Sequence, residues 1–75
     1  MSDRLPQITS RELIRILERR GFMIRRITGG HIILRHGQTK RMATVPSHPG
    51  DLQRGLVFGI LKQAGIDLDD FKKDL

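Results

Sequence analysis

Three histidines, His31, His36 and His48, are the side chains of this 75-residue chain that titrate nearest neutral pH. Cysteine is absent, which removes disulfides, thiolate metal ligands and a Cys nucleophile together. The sequence has no Gly-rich phosphate loop, no Gly-x-Ser-x-Gly elbow and no His-Glu-x-x-His pair. A metal site is not expected. His31 and His36 lie five apart, so on one strand they point to opposite faces, and the nearest carboxylate to His48 is Asp51. No cofactor is implied.

His31 has the strongest chemical case because it directly follows Gly29-Gly30, where bulky side chains are missing and a substrate backbone can come close. A neutral imidazole there can take a proton from a ribose 2′-hydroxyl or return one to a leaving oxygen. Arg25, Arg26, Arg35, Lys40 or Arg41 could stabilise charge on the phosphorane. Metal-free RNA cleavage needs little more, since the substrate supplies the nucleophile. Position alone does not separate this role from an exposed strand-end histidine with none. His48, in Ser47-His48-Pro49-Gly50, reads as a loop residue bonded to its own turn.

The cations are unevenly spread. Residues 1–41 carry ten basic and three acidic side chains, a net of +7, and residues 42–75 carry four and five, a net of −1. Ten of the fourteen cations are Arg, whose planar fork matches phosphate or carboxylate oxygens. Arg11, Arg15 and Arg19 follow i, i+4 spacing, with Arg4 and Arg20 near them. Like charges so spaced weaken a helix unless phosphate or an acidic partner meets them, or water simply solvates the face. Lys62 and Lys40 extend the candidate phosphate track. With three Phe and no Trp or Tyr, base stacking is disfavoured, and reading of shape and backbone is favoured.

The elements that must position these residues follow from pattern. Residues 1–8 read as an irregular lead-in. Thr9-Ser10-Arg11-Glu12 is a capping box, Leu13, Ile14, Ile16 and Leu17 follow at helical spacing, and Gly21 stops the helix. Residues 22–28, 31–35 and 40–45 read as strands. Gly29-Gly30 joins the first two as a two-residue turn tolerant of positive φ, and Pro46 ends the third. A second helix is expected over about 56–64, stopped by Gly65, and a short third one after Asp67. Phe22, Met23, Phe58 and Phe71 read as core or helix-covering residues. One α+β domain results, with order α-β-β-β-α, a three-stranded antiparallel meander and two helices on one sheet face. No apolar run approaches the ~20 residues of a membrane span and no signal peptide opens the chain, so it reads as cytoplasmic.

The run Ile8-Thr9-Ser10-Arg11-Glu12-Leu13-Ile14…Leu17-Glu18…Gly21-Phe22 resembles the opening of HicA-type toxins. Thr28-Gly29-Gly30-His31-Ile32-Ile33 resembles the family's Gly-Ser-His-His segment, with Gly30 and Ile32 at the Ser and second His positions. Val45-Pro46-Ser47-His48-Pro49-Gly50…Leu52…Gly55 and Ile60-Leu61-Lys62-Gln63-Ala64-Gly65-Ile66 are similar to its ending. The intervening Leu56-Val57-Phe58-Gly59 departs from the family's Thr-Leu-Arg, so Phe58 stands near a lost Arg. The resemblance covers about residues 8–66. It implies a double-stranded-RNA-binding-domain-like fold, an mRNA interferase with its catalytic histidine at His31, and a HicB-like antitoxin that covers the active site. It implies an endoribonuclease toxin acting on mRNA without a cofactor. Two other readings stay open: a non-catalytic double-stranded-RNA-binding module and a module whose arginines meet only an acidic protein.

Overall fold

The computed structural model describes residues 5–75. Its elements are β1 (Ile8–Thr9), α1 (Ser10–Arg19), β2 (Phe22–Ile27), β3 (His31–His36), β4 (Met42–Pro46), β5 (Asp51–Leu52), α2 (Arg54–Ala64) and α3 (Leu68–Lys72). The sheet β2-β3-β4 is an antiparallel meander, and β1 pairs with β5 in a separate two-residue ladder. The sequence carries no alternation long enough to reveal that ladder. Residues 1–4, including Arg4, lie outside the described residues. Residues 5–7 form the expected irregular lead-in, with Leu5 buried in the core, but Ile8 already belongs to β1.

The capping box starts α1 as its spacing predicts. The Thr9 hydroxyl accepts from the Glu12 N–H at 3.2 Å, and the Glu12 carboxylate accepts from the Thr9 N–H at 2.9 Å. Those bonds from Thr9 hold the Glu12 carboxyl below the usual carboxylate range. Leu13, Ile16 and Leu17 of α1 and Val57, Ile60, Leu61 and Ala64 of α2 share one core with Phe22, Leu34, Ala43 and Val45. Both helices therefore cover one face of the sheet, and the α1-β2-β3-β4-α2 order is the double-stranded-RNA-binding-domain-like α+β arrangement.

Several boundaries move from their expected places. Lys40 and Arg41 lie outside β4, because Lys40 takes a left-handed φ of 65° that closes the loop from His36. The second helix begins at Arg54 rather than Leu56, with no side chain capping it and thus no signal in the sequence. The third helix forms as expected: Asp67 accepts from the N–H groups of Asp69 and Asp70, and Phe71 is fully buried. Met23 and Phe58 are exposed, at 65% and 41%, so they are not core residues.

Two glycine pairs differ in kind. Gly21 and Gly65 hold φ of 99° and 74°, whereas Gly29 and Gly30 do not use positive φ. A Cβ on Gly21 would fall 2.8 Å from the His36 ring, while nothing lies within 4 Å of one on Gly30. Gly21→Ala is therefore expected to cost about 1–3 kcal/mol in denaturant unfolding, whereas Gly30→Ala stays within about 1 kcal/mol of wild type. Equal costs at the two positions would contradict this assignment.

Candidate nucleic-acid interface

Alternation along β3 decides which histidine faces what. Leu34 is fully buried and Ile32 packs on the core, so His31, Ile33 and Arg35 point to the open face of the sheet. His36 lies on the covered side, edge-on to Phe22 at 5.1 Å between ring centroids. Its Nε2 bonds the Arg20 carbonyl at 2.8 Å, and its Nδ1 accepts from the N–H groups of Gln38 and Thr39, each at 3.1 Å. Both ring nitrogens are thus committed to holding the α1–β2 corner against the β3–β4 turn. His48 bonds its own loop, its Nδ1 accepting from the Gly50 N–H at 3.2 Å. His31 differs from both. It is exposed, and among the described residues its ring nitrogens engage no partner.

The hairpin that presents His31 is fastened through backbone and hydroxyl groups. Thr28 N–H donates to the His31 carbonyl at 2.9 Å, and the Thr28 hydroxyl accepts from the His31 N–H at 3.0 Å. The Ser47 N–H donates to the Gly30 carbonyl at 2.9 Å, joining the end of β4 to the turn. Buried Ser10 donates to the Pro46 carbonyl at 2.6 Å and accepts from the His48 N–H at 3.3 Å. The start of α1, the turn, the loop after β4 and the start of α2 therefore meet at one end of the molecule. Sequence reasoning missed Thr28 and Ser10 as ties. A Thr two residues before a glycine is a visible turn signal, but nothing in the sequence marks a contact between residues 36 apart.

A groove of about 660 Å³ opens beside this end, lined by Arg11, Ile14, Arg15, Glu18, Ile32 and His48 among others. His31 is not in its lining but lies past Ser47, paired across the sheet with Pro46. Arg19 follows Arg11 and Arg15 along α1 and, with Arg15, lines a second groove toward Leu75. None of the three forms an ion pair among the described residues. Register breaks between Ile24 and Arg26, so Arg25 is an extra residue beside Arg26, which faces Ile33. Arg26 is thus a diagonal neighbour of His31 on the open face.

The structure does not bring the remaining candidates to His31. Arg35 is four residues along β3, about 13 Å away. Lys40 and Arg41 lie at the opposite end of β4, where the Arg41 side chain crosses Gly65 and reaches the Gln63 carbonyl at 3.4 Å. Lys62 is in the last turn of α2 at that same end. Arg20 is spent internally, donating to Asp70 at 2.8 Å and to Asp74. No group of three His, Cys, Asp or Glu converges among the described residues. None of the helices among them is long and apolar enough to cross a membrane.

An α+β domain of this order, with a basic first helix and an open hairpin turn, is the class to which the fold assigns the chain. The family model for the HicA toxin of bacterial toxin-antitoxin systems matches residues 10–66, which is most of the chain. The chain belongs to that family and is a toxin of a toxin–antitoxin system. A search of curated proteins finds no match.

The Arg20 cluster gives a pH test. Hydrogen bonds from Arg20, and then its charge, lower the Asp70 pKa from its ordinary 3.8. A lowered folded-state value stabilises above the unfolded value, and that contribution is lost as pH falls through the folded one. Asp70→Asn should therefore melt below wild type at neutral pH, with the gap closing in acid below 3.8. A gap of constant size from neutral pH to strong acid would argue against the pair.

Proposed function

We propose that this chain is a metal-independent endoribonuclease, an mRNA interferase that inhibits translation and is neutralised in the cytoplasm by a HicB-like antitoxin. The observation that carries this reading is the contrast among the histidines: His36 and His48 use their rings to hold the fold, whereas His31 presents a free imidazole at an open turn. In the reaction, His31 takes the proton of a ribose 2′-hydroxyl as the 2′-oxygen bonds to phosphorus. The bond from phosphorus to the 5′-oxygen then breaks, and that oxygen receives a proton. The products are a 2′,3′-cyclic phosphate and a 5′-hydroxyl, so no water or external nucleophile enters this step.

The RNA track nearest His31 is Arg11 and Arg15 on α1, which share a groove with Ile32 and His48, and Arg25 and Arg26 at the β2 bulge; Arg19 continues the α1 row toward the far end. Arg26, diagonal to His31, is placed to meet charge growing on the phosphorane. Arg35, Lys40, Arg41 and Lys62 would touch only a substrate long enough to reach the far end. Duplex shape suits a surface without exposed Trp or Tyr, and phosphate contacts of this kind make binding steeply dependent on salt.

The test is expression of wild type and His31→Ala, with growth and cellular RNA integrity followed together. His31→Ala should fold normally, spare growth and lower cleavage by about 10²-fold or more. Equal arrest by both proteins would remove His31 from the chemistry. Retained duplex-RNA binding with no cleavage by wild type would instead favour a non-catalytic RNA-binding module.

A further inference from the structure

From Arg19 to Gly50 the chain contains no Asp or Glu, yet it carries seven Arg and Lys residues. The whole three-stranded sheet lies within this stretch. On its open face Arg35 sits directly between Met23 of β2 and Met42 of β4. These methionines are 65% and 38% exposed. The Arg35 Nε is buried and has no hydrogen-bond partner among the described residues. Next along the face come Ile33 and the Arg25-Arg26 bulge. The helices cover only the other face.

We propose that this Met23–Arg35–Met42 row is the docking surface for the antitoxin, and that the antitoxin meets it with apolar side chains flanking a carboxylate. Three features select that chemistry. A buried guanidinium donor without an acceptor costs free energy, and a carboxylate relieves the cost through a charge-assisted bond. Thioether and aliphatic surface gains from apolar cover but nothing from phosphate, which favours a protein over RNA here. A second copy of the chain would set arginine against arginine, because the sheet offers no acid in return. Arg35 is also about 13 Å along β3 from His31, so the row can be gripped without the catalytic turn. The proposal takes its partner from the toxin–antitoxin membership and does not depend on cleavage by His31.

The test measures binding of two probes by calorimetry: the purified antitoxin encoded beside this gene, and a short RNA duplex. Wild type, Met23→Ser/Met42→Ser, Arg35→Gln and His31→Ala are compared, and melting curves confirm that each is folded. Met23→Ser alone is included as a variant at a largely exposed position that the fold tolerates. The row variants should lose roughly tenfold or more in antitoxin affinity, and Met23→Ser/Met42→Ser, which removes no cation, should bind duplex RNA within about twofold of wild type. RNA cleavage by each variant is followed in parallel: row variants that cleave normally but bind the antitoxin weakly support this surface whether or not His31→Ala abolishes cleavage, so failure of this surface and failure of the nuclease reading are told apart. Unchanged antitoxin affinity in the row variants overturns the proposal. A larger loss for RNA than for antitoxin reassigns the face to RNA, and a wild-type dimer that these variants dissociate reassigns it to self-association.

Discussion

The alternation of side chains along β3 is the constraint on which the rest of this small protein depends. Leu34 at the centre of the sheet is fully buried against the core that both helices share. Its burial fixes Ile32 and His36 on the covered side and His31, Ile33 and Arg35 on the open side. A slip of one residue would bury the free imidazole and the unpaired guanidinium and expose Leu34. Hydrophobic packing at one residue thus decides which chemistry reaches solvent. The bulge at Arg25 then sets Ile27, which is 69% exposed on the edge strand, opposite Ile32 while adding a cation beside Arg26.

A 75-residue domain without disulfides has little core to spend, and polar ties at both ends supplement it. At one end Ser10 joins α1 to the loop after β4, and Ser47 joins that loop to the Gly30 turn. At the other end His36 holds the Arg20 carbonyl, and the Arg20 side chain in turn binds Asp70 and Asp74 around α3. Two of the three histidines therefore serve architecture, as do Arg20, Arg54, whose Nε donates to the Leu5 carbonyl at 2.9 Å, and Arg41 at the Gln63 carbonyl. Among the described residues, His31, the arginine row of α1 and the sheet arginines Arg25, Arg26 and Arg35 have no side-chain partner.

Elements with local chemistry were legible in the sequence. The Thr9–Glu12 capping box, the Gly21 and Gly65 stops and the Asp67 cap each rest on contacts within a few residues. Alternation also placed His31 and His36 on opposite faces. Long-range features were not legible. The β1–β5 ladder joins residues more than forty apart, and the carboxylate partners of Arg20 lie fifty or more residues away. The Arg row of α1 was visible as spacing, but its division from the Lys40, Arg41 and Lys62 end depends on the antiparallel course of β4 and α2. Gly29-Gly30 was read as a turn correctly and for the wrong conformation, since neither glycine uses positive φ. Nothing lies within 4 Å of a Cβ added at either glycine, so the turn stands open.

The central claim is that an unencumbered imidazole at this turn activates the substrate's own 2′-hydroxyl. The most direct measurement is the chemistry of the ends that the purified protein leaves on an RNA in the presence of a chelator. The account predicts 2′,3′-cyclic phosphate and 5′-hydroxyl ends, formed at the same rate with or without the chelator. Ends bearing 5′-phosphate and 3′-hydroxyl, or cleavage that stops when divalent cations are removed, would contradict it.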